Sequence, residues 1–209
     1  MTAVPPPDEA AIAQRIGAEI RSLREKAGLS TRQLAALAGM SQPFVSQIER
    51  GVSAPSMAST YRLAEALGVL PGALLPVMST TPVTVVRATE GRLLPVANRP
   101  DAAHGRALVM QSNKNLEVIE YVIEPGQYIQ EWFQLDGEIA VYLVSGVIDI
   151  EVEHAGTWRL HPRDLITHPA NLRHRWLLVD DQPAHLLFVI AHPDEIRRTG
   201  NAAAPPSTT

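Results

Sequence analysis

Residues 28–51 read GLSTRQLAALAGMSQPFVSQIERG, and their punctuation decides the first half of the fold. A serine just ahead of an apolar-periodic run caps a helix by accepting a hydrogen bond from a first-turn amide. Ser30 has that place, and Gln33 stands where its side chain reaches back to complete a capping box. The helix it opens is short, 31–38, because Gly39 follows and favours a left-handed turn. Ser41 caps a second short helix, 42–50, with Pro43 tolerated in its first turn and Gly51 as its stop. The result is a helix, a tight turn and another helix. In the second of these, Val45 and Ile48 lie three apart and turn inward, leaving Gln42, Pro43, Ser46 and Gln47 facing out.

The surroundings extend the same texture. Ile12, Ile16, Ile20, Leu23 and Ala27 lay one apolar stripe along a first helix that Gly28 ends. Ser56 caps a fourth helix, with Met57, Thr60, Leu63, Ala64 and Leu67 inward and Gly68 as its stop. The residues around 72–75 form a short fifth. Beyond them lies a proline-rich join, and the chain then changes character, becoming rich in Val, Ile, Leu and Tyr in short runs. Strands are expected at 83–88, 107–111, 116–123, 130–134, 140–144, 147–152, 158–160, 165–168, 174–179 and 186–191. Pro125-Gly126, Asp136-Gly137, Ser145-Gly146 and Pro162-Arg163-Asp164 serve as turns. Many short, closely spaced strands indicate a sandwich or barrel.

The chain has 209 residues and no cysteine, which excludes disulfides and thiolate metal sites. No apolar run approaches a bilayer span, and the start has no secretory pattern, so a cytoplasmic location is expected and no membrane partner. The net charge of −4 is unevenly placed. Through Gly68 there are seven Lys and Arg against six Asp and Glu; the remainder has eleven against sixteen. Any contact of the first part with a polyanion must therefore use a local basic face.

The stretches 28–35, 39–51, Pro55-Ser56 and 66–69 together resemble the phage-repressor/Cro (XRE-type) helix-turn-helix family over about residues 12–75. The resemblance implies double-stranded DNA as a partner and 42–50 as the recognition helix in the major groove. Gln42 and Gln47 carry amides able to pair with an adenine edge, and Ser46 faces the same way. Pro43 can meet a thymine methyl; Phe44 is equally a packing residue. Arg32, Arg50 and Arg62 are phosphate candidates. Thr31 stands where the family often has Gln, and its hydroxyl at a helix N-terminus still suits a phosphate. The resemblance also places a partly buried ion pair between Arg24 and Glu49.

In the second part, Pro125-Gly126, Glu138, 142–146, 160–164 and 169–174 resemble the two motifs of the cupin family, a double-stranded β-helix barrel, over about residues 116–191. Metal-binding cupins use two histidines and a carboxylate on the first motif and a histidine on the second. Counting from Gly126, the histidine positions hold Trp132 and Gln134. Glu138 lies near the carboxylate position, although counting back from Gly146 puts Ile139 there. His174 fits the second-motif histidine. Arg163 replaces the usual turn glycine, which argues against a positive φ there. Period-2 alternation puts Trp176 beside His174, and Trp132 beside Gln134. Trp132, Gln134, Glu138, His174 and Trp176 are thus the candidate effector-binding residues, with no metal, no cofactor and no catalytic residue.

These readings commit to a multidomain α plus β chain. An all-α five-helix helix-turn-helix domain at 9–75 precedes an all-β cupin barrel at 83–195. Residues 76–82 form the linker, with disordered tails at 1–8 and 196–209. The expected function is sequence-specific transcriptional regulation, with the barrel sensing a small-molecule effector and the chain acting as a homodimer. A metal-dependent cupin enzyme with a regulatory head is the alternative, and an antitoxin-like module a third reading.

Overall fold

The computed structural model describes residues 9–75, 83–111 and 114–193. The two tails, the linker at 76–82 and residues 194–195 lie outside these. Four α-helices open the fold: α1 (Glu9–Lys26), α2 (Thr31–Leu37), α3 (Gln42–Glu49) and α4 (Met57–Leu67). The expected fifth helix is instead a single 3₁₀ turn, Pro71–Leu74. Gly72 is packed against the Gln111 backbone and Leu75 is already extended, so the turn closes with Leu75 donating to Gly72.

Capping follows the serines. The Ser30 hydroxyl accepts from the Gln33 amide, and the Gln33 side chain accepts from the Ser30 amide. Ser41 and Ser56 accept from Phe44 and Ser59. Gly39, Gly51 and Gly68 all take positive φ where the helices stop. Ile16, Ile20, Leu34, Val45, Ile48, Met57 and Leu63 form the helical core. Ala27, expected on that stripe, is exposed, since it lies past the last helical residue. Gly17 faces the α3 backbone, where an added Cβ would sit 2.2 Å from the Ile48 carbonyl oxygen. The first helix therefore lies directly against the end of the third.

Among the described residues nine strands follow: β1 (Arg92–Pro95), β2 (His104–Val109), β3 (Leu116–Ile123), β4 (Glu138–Ser145), β5 (Ile148–Val152), β6 (Gly156–Leu160), β7 (Leu165–Pro169), β8 (His174–Leu178) and β9 (Ala184–Ala191). They form a six-stranded sheet, β1-β2-β3-β9-β4-β7, and a three-stranded sheet, β6-β5-β8. All pairs are antiparallel. Between the sheets, Tyr121 of β3 and Phe188 of β9 meet Trp176 of β8, with ring centroids 5.0 and 5.1 Å apart.

Two expected strands are absent. Residues 83–88 are irregular, with Val83 and Val85 well exposed, and β1 takes the edge beside β2 instead. Residues 130–134 pair only through one bridge, in which Phe133 and His174 exchange backbone hydrogen bonds of 2.9 and 3.0 Å. Arg163 does take a positive φ, 77°, despite its Cβ. The turn between β6 and β7 demands it: Asp164 donates to the His161 carbonyl at 2.9 Å, and its carboxylate accepts from the His161 amide at 2.8 Å. Closing this turn outweighs a left-handed penalty of about 1–2 kcal/mol.

The helices pack on the sheets through α4. Tyr61 is buried, donates to Glu117 Oε2 of β3 at 2.8 Å, and meets the Phe133 ring edge-on at 6.3 Å. His192 Nε2 lies 3.0 Å from the other Glu117 oxygen, at an angle too poor for a hydrogen bond. Glu117 is 2% exposed, so this contact joins the domains through a carboxylate removed from water.

Candidate nucleic-acid interface and sensor cavity

The outer surface of α3 is the first candidate site. Val45 and Ile48 are fully buried and root the helix, while Gln42, Pro43 and Gln47 are exposed and Ser46 is half-buried beside them. The side chains of Gln42 and Gln47 make no hydrogen bond within the described residues, which leaves both amides open to an outside partner. Phe44 is partly buried and packs against the core. Arg32 at the start of α2 and Arg50 at the end of α3 are exposed, with Thr31 half-buried between the core and solvent. Arg50 Nε donates back to the Ser46 carbonyl at 3.2 Å.

Behind this face the Arg24–Glu49 pair is present and bidentate. Arg24 Nε and Nη2 donate to the two Glu49 oxygens at 2.6 and 3.0 Å, and Nη1 donates to the Leu29 carbonyl at 2.9 Å. The side chains are only 11% and 8% exposed. One guanidinium thus ties α1 to the last turn of α3 and to the loop before α2.

The second candidate is the space between the sheets. His174 and Trp176 point into it, both essentially buried, alongside Tyr121, Phe133, His168 and Phe188. His174 stacks on Phe133 at 5.9 Å and meets His168 edge-on at 4.8 Å. Five buried polar atoms here have no hydrogen-bond partner: the Tyr121 hydroxyl, His168 Nε2, both His174 nitrogens and Trp176 Nε1. His168 Nδ1 sits 2.9 Å from the Pro169 carbonyl, so that nitrogen carries the proton and Nε2 is left as an open acceptor. Burial, with His168 alongside, pushes the His174 imidazole down to about 3 against a weak opposing pull from the Leu172 backbone; the ring is neutral in ordinary buffers. Burial likewise raises the Tyr121 hydroxyl, with the Glu117 charge adding to it. The aromatic cluster between the sheets therefore holds three unpartnered donors, on Tyr121, Trp176 and the neutral His174, and two open ring-nitrogen acceptors, on His168 and His174.

Three of the five expected effector residues are elsewhere. Trp132 is half-buried and Gln134 exposed; Phe133 between them is the inward residue. Glu138 is exposed and Ile139 buried, so the residue reached by counting back from Gly146 is the inward one. Alternation makes a one-residue slip fatal to such an assignment, because every side chain changes face. Trp132 and Gln134 instead line an outer cleft with Arg62 and Glu65 of α4 and with Arg173. Trp132 lies under two guanidiniums, Arg173 and Arg175, at 5.2 and 4.7 Å. Sequence reading missed Tyr121, although alternation with the buried Ile119 and Ile123 would have found it.

The cupin fold implies a divalent metal, and the residues here do not fit one. Among the described residues no three His, Asp or Glu side chains stand together. His168 and His174 are neighbours, but phenyl, indole and aliphatic groups occupy the rest of the wall. Two imidazoles fall short of the three or four ligands that fix such an ion.

Comparison with known proteins agrees with this architecture. Residues 15–78 match the family described as helix-turn-helix domain, and residues 119–190 match the cupin domain family. An uncharacterized HTH-type transcriptional regulator of Mycobacterium tuberculosis is 49% identical over 53 residues, which are 25% of this chain and 38% of that protein. The chain thus spans well under half of that relative's length. A second uncharacterized HTH-type transcriptional regulator, from Sinorhizobium fredii, is 39% identical over 54 residues, 26% of this chain and 70% of that one. Among solved structures, an HTH_3 family transcriptional regulator from Vibrio cholerae superposes with a TM-score of 0.65 at 18% identity. It covers 89% of this chain and 99% of its own, a likeness of fold.

Proposed function

This chain belongs to the HTH-type transcriptional regulators, and we propose that it is a sequence-specific DNA-binding regulator whose cupin domain senses a small organic effector. The observation that carries the DNA reading is α3: a helix rooted by Val45 and Ile48 that presents Gln42, Pro43 and Gln47 to solvent with both amides unspent. In this reading Gln42 and Gln47 read bases, with Pro43 and Ser46 against the same groove. Thr31, Arg32 and Arg50 hold phosphates and set the register. Such a protein works where the chromosome is, in the cytoplasm of a bacterium.

Replacing Gln47 with Ala should cost about 1–3 kcal/mol on the operator and relax preference at one or two base pairs. Arg32→Ala should weaken all sequences alike and flatten the dependence of affinity on salt. A binding selection from random duplexes reads the first, and titrations at several salt concentrations read the second. Unchanged base preference in Gln47→Ala would sink the base-reading assignment.

The sensing reading rests on the unpartnered atoms between the sheets. Each buried polar group without a partner costs about 1–3 kcal/mol, and an occupant with complementary donors and acceptors removes that cost. Of the expected residues, His174 and Trp176 take this role, with Tyr121 and His168 beside them. Pairing into a homodimer is supported by the outer face of the six-stranded sheet, where Val122, Val144 and Leu165 are 54%, 37% and 57% exposed. A two-fold pair would present two recognition helices to paired half-sites.

The effector is bound without a metal, and this separates the regulator from a metal-dependent cupin enzyme. Protein purified without chelators should hold well under one equivalent of transition metal by elemental analysis, and chelator should leave DNA binding unchanged. Stoichiometric iron, manganese, nickel or zinc that survives dialysis would bring the enzyme forward.

A further inference from the structure

We propose that the cleft between α4 and the cupin domain, lined by Arg62, Glu65, Tyr128, Glu131, Trp132 and Arg173, is a binding site for a small zwitterion of the α-amino-acid class. This site is separate from the space between the sheets. Its volume is about 440 Å³, within the range of small-molecule sites. One wall comes from the helical domain and the other from the sheets, so an occupant touches both.

The charges define the ligand. On the cupin side most cations already have partners: Arg173 pairs with Glu153 at 3.2 Å, Arg175 with Glu151, and Arg99, over the Tyr128 ring at 4.0 Å, with Asp101. Three of the charges that line the cleft have no salt-bridge partner. Arg62 has no carboxylate at ion-pair distance, even from Glu65 three residues along the same exposed helix face. Glu65 has no cation at ion-pair distance, and Glu131 accepts only from the Tyr128 hydroxyl at 3.4 Å, with Arg99 close enough to feel its charge. A simple anion would face two carboxylates, and a simple cation would face a guanidinium. A molecule with both a carboxylate and an ammonium satisfies both sets, through the fork of Arg62 and the oxygens of Glu65 and Glu131. The half-buried Trp132 indole is then the contact for its side chain.

The walls are held in place before any ligand arrives. Tyr61, next to Arg62, is bolted to Glu117 and to the ring of Phe133, and Phe133 is next to Trp132. Each wall is thus fixed through the neighbour of a lining residue, so little ordering is needed on binding. Given the regulator reading, a ligand spanning this seam favours the docked arrangement of the DNA-binding head and biases its population. The binding itself does not depend on that reading.

Isothermal titration of the full chain with the individual protein α-amino acids, and with their N-acetyl and C-amide derivatives, tests the site. At least one free amino acid should bind at millimolar concentration or below. Blocking either end should weaken it by roughly tenfold or more, as expected for losing a charged hydrogen bond. Arg62→Ala should erase the preference for the free acid over the amide. Glu65→Gln combined with Glu131→Gln should erase the preference for the free amine. Arg62 and Glu65 are exposed and Glu131 half-buried, and unchanged melting curves would show that the variants fold. Trp176→Phe, between the sheets, should leave binding intact. The proposal is overturned if no free amino acid binds at millimolar concentration, or if blocked and free forms bind equally. It also fails if binding survives Arg62→Ala and is lost in Trp176→Phe, which would move the ligand to the space between the sheets and leave that reading standing.

Discussion

Replacing Glu49 with Gln is expected to destabilise the helical domain by about 3–5 kcal/mol, the usual cost of stranding one member of a buried ion pair. Glutamine keeps the shape and one acceptor, so the loss isolates charge. Solvent screening discounts the figure only slightly, because the side chains of Arg24 and Glu49 are 11% and 8% exposed. The effect extends beyond stability. Arg24 also holds the Leu29 carbonyl, so the same guanidinium sets where α2 begins and how α3 leans on α1. Under the proposed function, affinity for all DNA sequences should fall together, because α3 loses its angle while its outward residues are untouched. Thermal unfolding of the full chain, followed with Arg24→Ala, Glu49→Gln and the double variant, measures the coupling directly. Additive losses across that cycle would show the pair to be energetically idle.

Acid should unfold the sheets through His174. In the unfolded chain its imidazole takes a proton near the ordinary value of 6.5, whereas the folded ring refuses one until about 3. Between those values the unfolded state binds one proton more, so stability falls as the pH drops, by up to about 1.4 kcal/mol per pH unit. Below 3 both states are protonated and this contribution levels off. Surface pairs such as Arg159–Asp149 also weaken in acid, since Arg159 holds the Asp149 carboxyl below its ordinary value. Their losses fall at carboxylate pH, so the interval from about 6.5 down to 4.5 belongs mainly to the histidine. Denaturant titrations across it should show a slope that His174→Phe removes, the phenyl ring filling the space beside Phe133 and Trp176. Parallel slopes for the parent and His174→Phe would mean that the ring is not held neutral.

The helical half was legible because its signals are local. A serine cap, a glycine stop and two apolar residues three apart act within one or two turns of chain. Ser30, Gln33, Ser41, Val45 and Ile48 accordingly sit where those rules put them. The last turn, Pro71–Leu74, was over-read as a helix because its length depends on where the chain meets the sheets. Gly72 packs so closely on the Gln111 backbone that an added Cβ would lie 2.6 Å from it.

The sheet half was legible in its strands and less so in its edges and faces. Residues 83–88 have the composition of a strand, but β1 occupies the edge of β2, a choice between rivals that no local pattern makes. What the sequence by itself determined is the helical half up to its last turn, α3 with its outward residues, most of the strands from 104 onward, and the inward pair His174 and Trp176. Only the tertiary structure decided that Phe133 looks inward while Trp132 and Gln134 look out. Residues 130–134 form no regular strand, so their facing is set by a single bridge to His174, more than forty residues away, and not by any repeat within the segment. The same holds for the Tyr61–Glu117 contact and the cleft beside it. Those residues are far apart in the chain, and burying a carboxylate is tolerable only where a distant hydroxyl arrives to meet it.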